Sequence, residues 1–273
     1  MNQADLNLPS SLPTAIGMPR LNRDRHLDQR AIPEERAVAL VYDGTTAAVV
    51  MATPADFTDL AIGFSLTEGI IKAASEIDDL NVVPSADGIE LRMWLKPGCG
   101  AKFKDRQRRL VGPTGCGLCG IESLSEAVRQ SPSLVRKISV GSHQIELALE
   151  ALSGAQALNR TTRATHAAGF YSPTAGLVVT REDVGRHNAL DKLAGAMAVT
   201  HLSGGDGAII LTSRVSVEMV QKTAAIGSSI LIAISAPTAL AVRTAHTCGI
   251  TLVAIARGNQ FEIFSHPEGI TCD

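Results

Sequence analysis

The chain has 273 residues, a formal net charge of −2, and one Trp, two Tyr and six Phe. A net charge this close to zero does not provide the positive field that attracts nucleic acid or anionic membranes. So few aromatic side chains also leave little for the bases of single-stranded nucleic acid to stack on. No apolar run approaches the roughly 20 residues of a membrane span, and the start of the chain lacks the pattern of a signal peptide. Five cysteines without framework spacing are typical of a reducing compartment. We therefore expect a soluble, cytoplasmic protein that binds no nucleic acid and no membrane.

Residues 1–33 are predicted to form a flexible N-terminal tail. They contain four prolines, few large apolar residues and charges of both signs. A basic docking arm is the alternative interpretation.

Residues 34–110 are predicted to form a small α+β domain. Asp43-Gly44 is a strong hairpin signal between two β-rich runs. Thr53-Pro54 predicts the start of a helix, with Thr53 as its N-cap and Pro54 in its first turn. The predicted strands are Val38–Tyr42, Thr45–Met51, Leu80–Val83 and Ile89–Leu95.

Residues 111–138 carry a Cys-x-x-Cys pair, Cys116 and Cys119, in a glycine-rich loop that leads into a predicted helix. A helix N-terminus favours the thiolate over the thiol, and so does the basic stretch that precedes the pair. The basic residues are Lys102, Lys104, Arg106, Arg108 and Arg109. The pattern predicts a reactive sulfur site near a positive field that suits an anionic ligand or partner.

Two other interpretations of the pair stay open at this point. A structural zinc site needs four ligands, but Cys99, Cys248 and Cys272 are isolated and no His-x-x-x-His follows. A thioredoxin-like redox pair normally follows a strand near the start of a βαβ unit, whereas here a basic loop precedes it. Sulfur chemistry is favoured, although the motif alone does not identify its kind.

Residues 139–273 show strands that alternate with helices, which predicts βαβ crossovers and a largely parallel sheet. A helix is predicted over Ile145–Leu158, and Phe261–Phe264 is a candidate edge strand. The four strands are predicted at Gly176–Thr180, Ala208–Thr212, Ile230–Ser235 and Thr251–Ala256.

Polar residues follow each of these four strands. They include Arg186 and His187 after the first, Arg214 after the second, Thr238 after the third, and Arg257, Gly258 and Asn259 after the fourth. In open parallel sheets the ligand crevice lies at the carboxyl ends of the strands, and helix N-termini and guanidinium groups bind phosphate oxygens. Helix capping or a simple turn would explain any one loop, but four polar loops at one edge favour a site for a phosphate-bearing ligand. His166 is either a further residue of this pocket or a core histidine.

Five segments resemble the formate dehydrogenase accessory sulfurtransferase family (FdhD). They are GCGLCG at 115–120, THAAGF at 165–170, REDVGRHNALDK at 181–192, SRVSVEMVQK at 213–222 and SAPTALAV at 235–242. The resemblance covers roughly residues 35–270. It implies an α/β chain in which a cytidine-deaminase-like, three-layer α/β/α domain follows the smaller N-terminal α+β domain.

The resemblance also implies an activity and its residues. Family members are cytoplasmic, are reported as dimers, and pass sulfur from a cysteine desulfurase to the molybdenum bis-guanine-dinucleotide cofactor of formate dehydrogenase. Cys116 matches the persulfide-bearing cysteine and Cys119 the second cysteine of the pair. The cofactor is a bound substrate, and no intrinsic metal is expected. The family's cofactor-binding segment matches Ile255, Ala256, Arg257, Gly258, Asn259 and Gln260.

Hydrolytic deamination is not supported by the sequence. Zinc deaminases need His-x-Glu followed by Pro-Cys-x-x-Cys, whereas here Ala167-Ala168 follows His166 and the cysteine pair lies upstream. Two alternatives to sulfur transfer stay open: a non-catalytic chaperone for the molybdenum cofactor, and a thiol-disulfide oxidoreductase that uses a reversible Cys116–Cys119 disulfide.

Overall fold

A computed structural model describes residues 12–100 and 131–272. Within these ranges, every helix is too short or too polar to span a bilayer. The strands are β1 (Ala15–Leu21), β2 (Leu27–Pro33), β3 (Arg36–Tyr42), β4 (Thr45–Ala52), β5 (Ile77–Pro84), β6 (Ile89–Leu95), β7 (Val140–Gly141), β8 (His166–Ser172), β9 (Gly176–Asp183), β10 (Ala208–Leu211), β11 (Ile230–Ala233), β12 (Thr251–Arg257), β13 (Gln260–Ser265) and β14 (Ile270–Thr271). The α-helices are α1 (Phe57–Thr67), α2 (Ser142–Ala155), α3 (Ala157–Thr162), α4 (Arg186–Val199), α5 (Val217–Ile226) and α6 (Ala239–Cys248).

The N-terminal domain is a four-stranded sheet, ordered β4-β3-β6-β5, with α1 on one face. Val38, Leu40 and Leu91 are buried beneath α1, where Leu60 and Ala61 complete the core. The alternation of buried and less buried residues along β6 follows the two-residue period of a half-buried strand, whereas the last three residues of β3 are all buried. The predicted hairpin and the second strand pair are both present.

The start of α1 differs from the prediction. The helix begins at Phe57 after Asp56, whose backbone is left-handed and whose side chain makes no cap hydrogen bond. Thr53 is not the N-cap, because its hydroxyl accepts a hydrogen bond from the Val184 N–H at 3.1 Å. A contact with the C-terminal domain has replaced the local cap that the sequence suggested.

Residues 15–33 do not form the flexible tail that the sequence predicts. β1 and β2 pair as an antiparallel hairpin, closed by a turn in which the side chain of Asn22 accepts hydrogen bonds from the backbone of Asp24 and His26. The mixed composition of this segment gave no sign in the sequence of the two seven-residue strands that pair here. Residues 1–11 lie outside the described residues.

The C-terminal domain is built on a six-stranded sheet ordered β13-β12-β11-β10-β8-β9. β10, β11 and β12 are parallel; β8 is antiparallel to both β10 and β9, so β9 points the same way as β10. The predicted strands are therefore co-directional, and the predicted edge strand is present as β13. The sequence reading missed β8, which separates β9 from β10 and makes the sheet mixed.

Helices cover both faces of this sheet. One face packs against α4, α5 and α6 through residues such as Leu190, Met219 and Ala245, and the other packs against α2 through Ile145 and Leu152. The predicted three-layer α/β/α arrangement is confirmed. The more specific likeness to cytidine deaminases is compatible with this arrangement and stays a prediction.

The two domains meet where α1 crosses α4. A Cβ atom added to Gly63 would lie 1.7 Å from the Asp191 carbonyl oxygen, and one added to Gly195 would lie 2.0 Å from that of Asp59. The helix backbones therefore touch directly, which only glycine permits. This contact fixes the middle of α4 against the N-terminal domain.

Candidate functional site

The carboxyl ends of β9, β10, β11 and β12 lie along one edge of the C-terminal sheet. The antiparallel β8 begins at the same edge, because His166 is paired with Asp183 and Ala168 with Leu211. The predicted convergence of four polar loops is therefore correct. The same topology adds His166 to the edge.

The loops after β10 and β11 are joined through their backbones. Val215 N–H donates to the Ala236 carbonyl at 3.2 Å, and Thr238 N–H donates to the Val215 carbonyl at 2.9 Å. Arg214 is exposed beside this junction. Thr238 is the N-cap of α6, and its hydroxyl accepts from Ala241 N–H at 3.2 Å. Thr238 therefore has the ordinary capping role, although it lies next to Arg214.

The segment Ile255–Gln260 forms the end of β12 and the turn into β13. Ile255 has a φ of 55°, which is unusual for a β-branched residue, and its N–H donates to the Ser235 carbonyl at 3.3 Å. This irregularity exposes the Ile255 side chain while Ala256 stays buried. Arg257, Gly258, Asn259 and Gln260 are exposed at the same edge. Strain of this kind is concentrated at functional sites.

Arg186 and His187 begin α4 at the other end of this edge. The Nε atom of Arg186 is buried and has no hydrogen-bond partner among the described residues, so it remains available to an acceptor. Burial, followed by the charges of Arg186 and Lys222, lowers the pKa of His187, although Glu218 lies 3.8 Å from its Nε2 atom. Burial and the Arg186 charge also lower the pKa of His166. Both imidazoles are therefore neutral at pH 7, beside a permanent cation.

A buried ion pair lies directly behind Arg186. Lys192 Nζ is 2.7 Å from Asp183 Oδ2, both side chains are fully buried, and Lys192 also donates to the Thr53 carbonyl at 2.9 Å. The other oxygen of Asp183 accepts from Gly185 N–H and from the Asn188 side chain. These contacts fix the turn between β9 and α4 and join it to the N-terminal domain.

A second buried cluster surrounds Lys222 of α5. Its ammonium group donates to both oxygens of Asp191 at 2.8 and 3.0 Å, and to Thr67 and Glu68 at 2.9 Å each. Burial alone would lower the pKa of Lys222, but Asp191 and Glu68 outweigh it, so the pKa is raised and the ammonium stays charged. Glu68, the residue that ends α1, takes part in this interdomain contact.

The two helices α4 and α5 thus face each other through two layers of polar side chains, of which only the inner one is an ion pair at neutral pH. His187 and Glu218 form the outer layer, and Asp191 and Lys222, one helical turn further in, form the inner layer. The sequence reading overlooked the inner layer and the Asp183–Lys192 pair. The available signal was the charged pair Asp191-Lys192 in a helix with apolar residues on both sides of it.

Cys116 and Cys119 lie outside the described residues. Within residues 12–100 and 131–272, no three His, Cys, Asp or Glu side chains are grouped as metal ligands would be. The expectation of no intrinsic metal stays a prediction for the whole chain.

Comparisons with known proteins agree with the motifs. A model of the FdhD/NarQ family matches residues 33–271. Two similar relatives are named sulfur carrier protein FdhD: that of Agrobacterium fabrum is 54% identical over 89% of this chain and 90% of its own length, and that of Brucella abortus is 49% identical over 87% and 88%. A crystal structure from Desulfotalea psychrophila, provisionally described as a formate dehydrogenase accessory protein, superposes with a TM-score of 0.75. It is 22% identical and covers 95% of this chain and 100% of its own, so it supports the fold. The chain belongs to the FdhD/NarQ family.

Proposed function

We propose that this chain is a cytoplasmic sulfurtransferase that carries sulfur as a persulfide on Cys116. The sulfur donor is a cysteine desulfurase, the acceptor is the molybdenum bis-guanine-dinucleotide cofactor bound as a substrate, and the client is formate dehydrogenase. The relatives' name, sulfur carrier protein, supports the sulfur-transfer role. The observation that supports a nucleotide substrate is the group of cationic and polar side chains along the edge where β9, β10, β11 and β12 end.

Sulfur loading requires a nucleophilic thiolate. The Cys116 thiolate attacks the terminal sulfur of the donor persulfide, a new S–S bond forms on Cys116, and the donor cysteine leaves as its thiolate. No net oxidation occurs, because the terminal sulfur is exchanged between two thiolates. A thiol with a lowered pKa and open access is the expected carrier.

The strand edge suits the phosphate groups of a guanine dinucleotide. Arg257 and Arg214 are exposed there, and Arg186 has an unused donor at the N-terminus of α4. The neutral imidazoles of His166 and His187 can each accept or donate one hydrogen bond without adding charge. We assign nucleotide binding to this edge and sulfur loading to Cys116.

The first experiment tests sulfur loading. After incubation with a cysteine desulfurase and cysteine, peptide mass spectrometry should find an adduct of about 32 Da, one sulfur atom, on Cys116. Cys116→Ala should lose the adduct, and the exposed Cys272 should carry none, which makes it an internal control. A reversible Cys116–Cys119 disulfide without an adduct would instead indicate a thiol-disulfide oxidoreductase.

The second experiment tests the division of labour. Calorimetry with GDP should show that Arg257→Ala weakens binding by about tenfold, the effect of losing one charge-assisted hydrogen bond. Cys116→Ala should bind GDP as the wild type does, and Arg257→Ala should load sulfur as the wild type does. GDP binding without any sulfur loading would indicate the non-catalytic cofactor chaperone.

A further inference from the structure

The first turn of α4 holds hydrogen-bond donors that the helix itself leaves unused. Its N-cap, Gly185, makes no side-chain cap, and the Ala189 N–H donates to the Gly185 carbonyl at 3.0 Å. The N–H groups of residues 186–188 precede this bond, so they have no carbonyl acceptor within the helix. The buried Nε atom of Arg186 also has no partner in the described parts of the chain. Donors of these two kinds suit an anionic group.

His187 and Glu218 lie beside these donors and are open to a ligand. Their side chains are 39% and 43% exposed. His187 Nε2 is 3.8 Å from Glu218 Oε2, which is too long for a hydrogen bond but close enough for an ion pair once the imidazole is protonated. The Ser216 hydroxyl donates to the same carboxylate oxygen at 2.5 Å and fixes its position. Burial would raise the pKa of Glu218, but Ser216 and the nearby charges outweigh it, so the carboxylate stays ionised as a counter-charge for an imidazolium.

The surroundings of His187 oppose a proton as long as Arg186 has no anion. Burial lowers the pKa of His187 most, followed by the charges of Arg186 and Lys222. Glu218 acts in the opposite direction. Lys222 already has two carboxylate partners, so a ligand does not change its effect; they are Asp191 of α4 at 2.8 Å and Glu68 of α1 at 2.9 Å. An anion bound to Arg186 would neutralise the larger of the two repulsive charges, and a charge at about 4–6 Å shifts a pKa by about 1–3.

His166, at the start of β8, is the second imidazole beside Arg186. Its pKa is lowered by burial and then by the Arg186 charge, and the carboxylate that acts against this lowering is Asp183. Asp183 Oδ2 is already paired with Lys192 Nζ at 2.7 Å. The carboxylate nearest to His166 is therefore neutralised, whereas the carboxylate nearest to His187 has no lysine or arginine partner among the described residues. Of the two imidazoles, His187 is better placed to accept a proton.

We propose that His187 takes up a proton from solvent when an anionic group of the ligand binds Arg186, and that Glu218 stabilises the resulting imidazolium. This inference rests on the proposed function, because it concerns the same nucleotide-binding edge. The empty site avoids two adjacent cations, and the occupied site presents both of them to the pyrophosphate. Binding is therefore coupled to protonation, and a ligand without negative charge gains nothing from this coupling. The affinity rises as pH falls towards the pKa of His187 in the free protein and becomes constant below it.

Calorimetry of the full chain with diguanosine pyrophosphate tests this coupling. This probe carries a pyrophosphate diester and no phosphate group that titrates near neutral pH. At pH 6.5 the binding enthalpy is measured in buffers with different ionisation enthalpies, and its slope against them gives the number of protons taken up. The wild type should take up between about half a proton and one proton per site, and it should bind roughly five- to tenfold more tightly at pH 6 than at pH 8.

Three variants assign the proton to a residue. His187→Gln should remove the uptake and flatten the dependence of affinity on pH, and Glu218→Gln should reduce both. His143→Gln is the matched control, since His143 lies 3.6 Å from Glu146 in an exposed pair on α2, and its variant should take up protons as the wild type does. Uptake that persists in His187→Gln but disappears in His166→Gln would overturn the assignment.

The failure of this inference is distinguishable from the failure of the proposed function. If the wild type binds the probe without taking up a proton, the coupling is refuted and the nucleotide site stands. If the probe does not bind at either pH, the nucleotide site itself is refuted, and the coupling with it.

Discussion

The crossing of α1 and α4 makes a sharp prediction for Gly195→Ala. Alanine normally stabilises a helix interior by about 0.5–1 kcal/mol relative to glycine. Here its Cβ atom would lie 2.0 Å from the Asp59 carbonyl oxygen, whereas ordinary contacts begin at 3.4 Å. The helices would have to separate by the difference between these distances, and backbone cannot yield as a flexible side chain can. Overpacking of this kind typically costs 1–3 kcal/mol, and the buried hydrogen bonds across the same crossing would stretch as well. We expect Gly195→Ala to lower the free energy of unfolding by about 2–4 kcal/mol.

Gly154→Ala is the matched control for this prediction. Gly154 is an exposed residue of α2, and an added Cβ atom would meet no atom within 4 Å. Its variant should be as stable as the wild type or slightly more stable, in keeping with helix propensity alone. Urea denaturation followed by circular dichroism measures both variants. Equal stability of Gly195→Ala and Gly154→Ala would refute the direct backbone contact between the domains.

Three further predictions concern the charges behind the strand edge. Asp183→Asn should lower the free energy of unfolding, measured by urea denaturation, by about 3–5 kcal/mol, because Lys192 would remain buried without its counterion. Adding Lys192→Met to this variant should restore part of the lost stability. No recovery would contradict the pairing of Asp183 with Lys192. Lys222→Met should also be destabilising, since Asp191, whose pKa is already raised by burial, would lose the cation that stabilises its carboxylate, whereas the same change at a surface lysine should be neutral in thermal denaturation. The third prediction rests on the lowered pKa of His187. Below the ordinary value of 6.5, the unfolded chain binds a proton at His187 that the folded chain does not bind. The free energy of unfolding therefore decreases as pH falls through 6.5, and it stops decreasing below the pKa of His187 in the folded chain. Unfolding measured between pH 7.5 and about 5.5 should therefore be less dependent on pH in His187→Gln, and an unchanged slope would show that His187 does not carry this effect.

Local patterns were sufficient for much of the C-terminal domain. The four co-directional strands and the polar loops after them follow from apolar runs that alternate with helical segments, and such runs report burial directly. The edge strand β13 was predicted for the same reason. β8 was missed because Ala167, Ala168 and Gly169 have little intrinsic preference for strands, and only pairing with β9 and β10 makes them one.

The sequence by itself determined the α/β class, the residues that converge at the strand edge and the motifs of the FdhD/NarQ family, because periodicity and residue chemistry are local properties. Only the tertiary structure decided what the charged residues of those motifs do. The role of each charged residue depends on which part of the fold its side chain meets. Asp191 and Lys192 are adjacent in α4 but point to different sides of the helix, and their partners, Lys222 and Asp183, lie in other elements. Likewise, Thr53 resembles a helix cap in sequence, but a partner 131 residues away determines its hydrogen bond. A linear pattern does not contain such pairings, since they arise when α1 packs against α4.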